Sequence, residues 1–179
     1  LILFKDKYRT DSIRLAKYDY AQMGLYFITI ITHNRGCIFG NIKNNIMILN
    51  DPGKIAEKCW RGIPFHFPNA SLLEFIIMPN HIHGIIALSV ETSRFIGAVS
   101  LRSKSEHFGK PTRQSIPTII RSFKSATTKM TNEYRNFNRQ PVWQSGYYEH
   151  IIRNEDELNR IREYILTNPQ NWLKDAYTE

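Results

Sequence analysis

Acidic side chains are scarce in this chain: 16 Asp and Glu stand against 24 Lys and Arg, leaving a net charge of +8. That balance excludes an acidic solvating segment. With 42% hydrophobic and 12% aromatic residues, the composition is also not that of a disordered chain. Long apolar runs are missing as well. None approaches the roughly 18 residues of a membrane span, and Leu1-Ile2-Leu3-Phe4-Lys5 has no signal-peptide pattern. Cysteine is limited to Cys37 and Cys59, far apart and without metal-ligand spacing. A disulfide scaffold and a thiolate cluster are thereby excluded, and two structural thiols suit a reducing cytoplasm. Internal repeats and low-complexity tracts are absent. A length of 179 residues fits one domain with a real core.

What is present is unevenly placed. Residues 94–139 carry ten Lys and Arg against Glu106 and Glu133, which accounts for the whole net charge. A localised basic zone favours a polyanionic partner, nucleic acid before an anionic membrane surface, although a merely solubilising surface has the same composition.

Residues 1–22 read as a polar arm. Tyr26-Phe27-Ile28-Thr29-Ile30-Ile31-Thr32-His33 is β-branched and aromatic, as a central strand should be. Asn34-Arg35-Gly36 turns the chain, and Ile46-Met47-Ile48-Leu49 forms a short strand. Asp51 as N-cap and Pro52 at the first position open a helix carrying Ile55, Ala56, Cys59 and Trp60, which Pro64 ends. Residues 70–88 read as a hairpin of two strands. Residues 89–114 lack periodicity and are rich in Ser, Gly and charge, the pattern of a long flexible loop. A long helix follows, capped by Ser115, with Ile116, Ile119, Ile120, Phe123, Ala126, Met130 and Tyr134 at helical spacing. Its other side presents Arg121, Lys124, Ser125, Thr128 and Lys129, a basic and hydroxyl stripe suited to phosphates. A last strand precedes a final helix, with Asn154 and Glu157 in capping-box position, Leu158, Ile161 and Ile165 facing the core, and Pro169 as its stop.

The chemistry centres on Met78-Pro79-Asn80-His81-Ile82-His83-Gly84. On a strand, positions i and i+2 share a face, so His81 and His83 project together while Ile82 enters the core. Two imidazoles side by side make half of a divalent-metal site; either alone is more often a satisfied core histidine than a ligand. Tyr164 and Asn168, four apart on the final helix, also share a face. A tyrosine there is by itself an ordinary boundary aromatic. Together with the histidine pair it completes a kit for breaking a phosphodiester. A phenol with a pKa near 10 is a poor nucleophile at neutral pH, and a divalent ion stabilising charge on the phosphate would make its attack productive. The products are a phosphotyrosine adduct and a free 3′ hydroxyl, and the adduct keeps the ester energy needed to rejoin the strand.

The ordered set of segments resembles the HUH single-tyrosine transposases, and among them the REP-associated tyrosine transposases. It rests on Tyr26-Phe27-Ile28-Thr29 with Thr32-His33-Asn34-Arg35, on the His81 segment, and on Phe123-Lys124-Ser125. It rests further on Val142-Trp143-Gln144 with Tyr147 to Asn154, and on Tyr164-Ile165 with Asn168-Pro169. The resemblance implies an α+β fold, an antiparallel sheet flanked by helices in the ferredoxin-like or RRM-like HUH manner. It implies Tyr164 as nucleophile, with His81, His83 and Asn168 as ligands of Mg²⁺ or Mn²⁺. Asn168 stands where relatives often have Gln. It also implies a bacterial, nucleoid-associated protein, monomeric or homodimeric, acting on hairpin-bearing single-stranded DNA. Arg113, Arg121, Lys124, Ser125 and Lys129 are the DNA contacts expected on the basic loop and helix. A histidine-triad hydrolase is excluded because position 85 is Ile. A rolling-circle nicking enzyme shares the chemistry but usually carries further domains. A non-cleaving protein that holds REP-like hairpins is the alternative from another class.

Overall fold

In the computed structural model the described residues are 3–4, 8–9, 22–89 and 114–174. Two short paired strands, β1 (Leu3–Phe4) and β2 (Tyr8–Arg9), fall within the expected arm. The main sheet begins with β3 (Gly24–Ile31), where eight consecutive mostly β-branched and aromatic residues alternate between two buried faces. His33, expected in this strand, instead starts a 3₁₀ turn over His33–Arg35. Asn34 and Arg35 there take left-handed backbone at φ 52° and 54°.

A hairpin of β4 (Gly40–Lys43) and β5 (Ile46–Leu49) follows. The first of these strands has too few apolar residues to be read from sequence. Helix α1 (Asp51–Arg61) is capped one residue earlier than expected, because the Asn50 side chain accepts from Gly53 N at 3.0 Å. Pro64 does not end α1. It sits in the first turn of a four-residue helix, α2 (Ile63–His66), where its missing N–H costs nothing. The hairpin of β6 (Ala70–Ile77) and β7 (His81–Leu88) lies as read, with an irregularity between Leu72 and Phe75.

The expected loop over 89–114 lies outside the described residues except at its two ends. Helix α3 (Ile116–Arg135) buries Ile116, Ile119, Ile120 and Phe123 as expected. Its second half differs: Thr127 and Thr131 face inward, while Ala126 and Tyr134 are exposed. The apolar stripe drifts around the helix, and the Thr127 hydroxyl is satisfied by donating to the Phe123 carbonyl at 2.9 Å. Strand β8 (Tyr148–Ile152) and helix α4 (Glu155–Thr167) complete the unit. Asn154 accepts from Glu157 N at 2.9 Å, as a capping residue should. Helix α4 stops at Thr167, ahead of Pro169 as expected, but Asn168 is not pushed out of helical angles (φ −56°, ψ −42°), and a 3₁₀ stretch continues over Asn168–Lys174.

The sheet is fully antiparallel, in the order β6-β7-β3-β8. Counting only its four strands with α1 and α3, the chain runs β-α-β-β-α-β with spatial order 2-3-1-4, which is the ferredoxin-like arrangement. On one face α1 and α3 pack Trp60, Ile119, Ile120 and Phe123 onto Tyr26, Ile28, Ile30, Ile82 and Ile86. On the other, α4 packs Ile165, Leu158 and Ile161 onto Ile85, Ile152, Leu25 and Phe27. Gly84 lets the first layer close, because a Cβ there would collide with the Trp60 ring.

Candidate active site

Register places the histidines. Thr29 pairs with His83 and Ile31 with His81 across β3 and β7, so both imidazoles stand on the α4 face of the sheet's two central strands. Both are fully buried, with ring centroids 4.5 Å apart. Phe27 stacks on His83 at 5.4 Å and meets Tyr164 edge-on at 6.2 Å. Tyr164 reaches down from α4, its hydroxyl 3.1 Å from His83 Nε2, while 41% of its surface stays open to solvent.

The imidazoles are held from behind. His83 Nδ1 shares a 2.8 Å hydrogen bond with the Thr29 hydroxyl, and His81 Nδ1 lies 2.8 Å from Asn80 Oδ1. Burial first, and the neighbouring His81 second, hold His83 well below the ordinary imidazole pKa, so it stays neutral near pH 7. Neutral imidazole is the form that ligates a metal. The Trp172 ring lies parallel to His81 at 6.0 Å, on the stretch that follows α4.

Asn168 is one helical turn beyond Tyr164 and buried. Its Oδ1 is enclosed without a hydrogen-bond partner among the described residues. A buried amide oxygen left unsatisfied carries an uncompensated desolvation cost of roughly 1–3 kcal/mol, which a cation would relieve. Among the described residues no cluster of three or more His, Cys, Asp or Glu exists. Any divalent ion here therefore draws on imidazole nitrogens and an amide oxygen, a mixed set that Mn²⁺ accepts more readily than Mg²⁺. The residues present fit such an ion.

The basic residues lie elsewhere. Arg121, Lys124, Ser125, Thr128 and Lys129 line one groove of about 990 Å³ between α3 and residues 136–143. Since α3 and α4 pack on opposite faces of the sheet, this groove is across the sheet from Tyr164. Lys124 is also tied into the fold: its Nζ donates to the carbonyls of Gln144 (2.6 Å) and Gly146 (2.8 Å). Burial lowers its pKa from the ordinary lysine value to about 8. Arg113 lies outside the described residues.

The structure thus brings His83 into contact with both His81 and Tyr164, sets Asn168 a turn beyond Tyr164, and collects the stripe residues separately. The sequence reading missed Thr29, Asn80, Phe27 and Trp172. Strand alternation puts Phe27 and Thr29 on one face, but their contacts with His83 depend on a register that the sequence does not display.

Comparison with known proteins agrees with this architecture. No family model matches the chain. It is 43% identical over 165 residues to an uncharacterised protein of Haemophilus influenzae, covering 92% of this chain and 90% of that one, so the two belong to one family. A second Haemophilus influenzae protein, provisionally named a REP-associated tyrosine transposase, is 27% identical over 90% of this chain and 77% of its own length. A solved REP-associated tyrosine transposase bound to a REP hairpin superposes with a TM-score of 0.58 at 16% identity, covering 91% of this chain and 74% of that one, and shares its fold. This chain is a relative of the REP-associated tyrosine transposases. The helix pair α1 and α3 covers one face of its sheet and the Tyr164 helix the other. Among its described residues no helix is long and apolar enough to cross a membrane.

Proposed function

We propose that this transposase relative cleaves and rejoins hairpin-bearing single-stranded DNA through Tyr164. The observation that carries the reading is the 3.1 Å approach of the Tyr164 hydroxyl to His83 Nε2, on a pair of buried imidazoles. The Tyr164 oxygen attacks the scissile phosphorus, a P–O bond to tyrosine forms, and the bond to the 3′ oxygen breaks. The phenolic proton passes to water and the departing 3′ oxygen takes one up. A second 3′ hydroxyl reverses these steps on the adduct, so rejoining needs no ATP. His81, His83 and the Asn168 amide oxygen would hold Mg²⁺ or Mn²⁺, which when bound stabilises charge on the phosphate and favours the phenolate. Phe27 limits the swing of both the phenol and the His83 ring, so the attacking oxygen is already oriented.

The groove along α3 is the surface for phosphates, with Arg121 and Lys129 exposed and Ser125 and Thr128 between them. A duplex stem there lies across the sheet from Tyr164, so a single-stranded extension must turn around a sheet edge to be cut. This division supports a substrate with a paired and an unpaired part.

The test uses single-stranded oligonucleotides copied from each strand of the DNA flanking the gene, incubated with protein and Mn²⁺ or Mg²⁺. A metal-dependent, SDS-resistant adduct on one strand only, absent in Tyr164→Phe, is the expected result. An adduct that persists in Tyr164→Phe moves the nucleophile to Tyr148, whose pairing with Thr29 puts it on the same sheet face, whereas Tyr147 packs into the opposite core. Hairpin binding without an adduct under either metal leaves the non-cleaving reading.

A further inference from the structure

The segment Thr32-His33-Asn34-Arg35 stands apart from the histidines in sequence, yet it ends against them. Thr32 N donates to the Asn80 carbonyl at 2.8 Å, and the Thr32 hydroxyl sits between the carbonyls of Gly36 (2.8 Å) and Asn80 (2.9 Å). Asn34 and Arg35 adopt left-handed backbone, a conformation Asn enters readily but Arg seldom does unless its surroundings impose it. The turn so formed aims the Arg35 carbonyl at Asn80 Nδ2, 3.2 Å away.

That contact settles the orientation of the Asn80 amide. A carbonyl only accepts, so the group facing Arg35 must be the NH₂, and Oδ1 must be the atom 2.8 Å from His81 Nδ1. An amide oxygen likewise only accepts. His81 therefore carries its proton on Nδ1 and keeps the lone pair on Nε2, the ring atom on the side away from Asn80. Thr29 cannot impose this on His83, because a hydroxyl both donates and accepts.

We infer that Asn80 is a positioning residue that locks His81 in the Nδ1–H tautomer and so presents Nε2 to a divalent cation, with the Thr32–Gly36 turn as the brace that orients its amide. This rests on the proposed metal-assisted reading of the site. Asn80 acts through the imidazole, whose Nδ1 its Oδ1 faces. Hydrogen-bond partners of ligating histidines typically change metal affinity 10–100-fold when removed.

The experiment is long-range ¹H–¹⁵N NMR of the histidine rings in the metal-free protein, with His81 assigned by His81→Gln, together with Mn²⁺ titration by calorimetry. The wild type should show His81 protonated on Nδ1. Asn80→Ala should populate the Nε2–H form and bind Mn²⁺ about 10–100-fold more weakly. Asn80→Asp, which retains the acceptor, should keep the Nδ1–H form. An Nε2–H signature for His81 in the wild type overturns the inference whatever the variants do, and so does unchanged Mn²⁺ affinity in a folded Asn80→Ala protein. The metal reading fails separately: a wild type with His81 in the Nδ1–H form that binds no Mn²⁺ overturns that reading and leaves the tautomer lock standing.

Discussion

The Tyr164 hydroxyl and His83 Nε2 lie 3.1 Å apart although 81 positions separate the two residues in sequence. Strand β7 supplies one and helix α4 the other. Tyr164→Phe removes the oxygen while keeping the ring against Phe27 and His83. Its cost in stability should not exceed that of one hydrogen bond, about 0.5–1.5 kcal/mol. Hairpin binding should be unchanged, because the groove residues lie on the other side of the sheet. Urea unfolding and a fluorescence binding titration check both. Loss of hairpin affinity in this variant would place the stem on the tyrosine face.

Gly84 and Trp60 make a tight pair. A methyl at position 84 meets the Trp60 ring and comes within 3.0 Å of Phe75 Cβ. Overpacking of this kind costs typically about 1–3 kcal/mol, so Gly84→Ala should shift the urea midpoint down without changing the m value. In a Trp60→Leu background the same substitution should cost much less, because the obstructing ring is gone. Equal penalties in both backgrounds would show that the strain arises elsewhere. Gly84 neighbours His83, so Gly84→Ala should also weaken cleavage.

Much of this was legible in the chain. The i, i+2 spacing of His81 and His83 on an apolar strand was enough to predict a shared face, since strand geometry is local. Helices α3 and α4 announced themselves by periodicity, and the Asn154 cap by its spacing to Glu157. The errors share a cause. Asn50 displaced Asp51 as cap and Pro64 opened a helix it was expected to end, because a proline or capping residue marks a boundary without saying which side of it is helical. The relay from Arg35 through Asn80 to His81 was out of reach for a different reason: it joins segments 45 residues apart through a turn of left-handed backbone. That Lys124 also holds the carbonyls of Gln144 and Gly146 was not legible, because nothing local brings those carbonyls to it.

Arg121 and Lys124 should consequently behave differently. Arg121 is exposed on the groove, so Arg121→Gln should lower the salt slope of hairpin binding by about 0.7–0.9, the value of one phosphate contact. Lys124→Met should act chiefly on stability, by releasing the two carbonyls it holds. Affinity measured over a range of salt concentrations separates the two. A full unit of slope lost in Lys124→Met, with Arg121→Gln silent, would reverse the assignment.

Lys124 also predicts a pH dependence of stability. Burial pushes its pKa down to about 8 from the ordinary 10.5, whereas the unfolded chain keeps the ordinary value. Between these limits the unfolded state binds more protons than the folded one, so this group makes stability rise with pH across that window. Below about pH 8 both states are protonated and its contribution is flat. The two carbonyl acceptors favour the ammonium and oppose this effect, which narrows the window without changing its sign. Unfolding free energies of wild type and Lys124→Met at pH 7 and pH 9.5 isolate the effect, because every other titrating group is common to both. The gain on raising the pH should be larger in the wild type. Parallel changes in the two proteins would mean that the lysine titrates in the folded chain as it does in the unfolded one, and that the carbonyl pair fully offsets its burial.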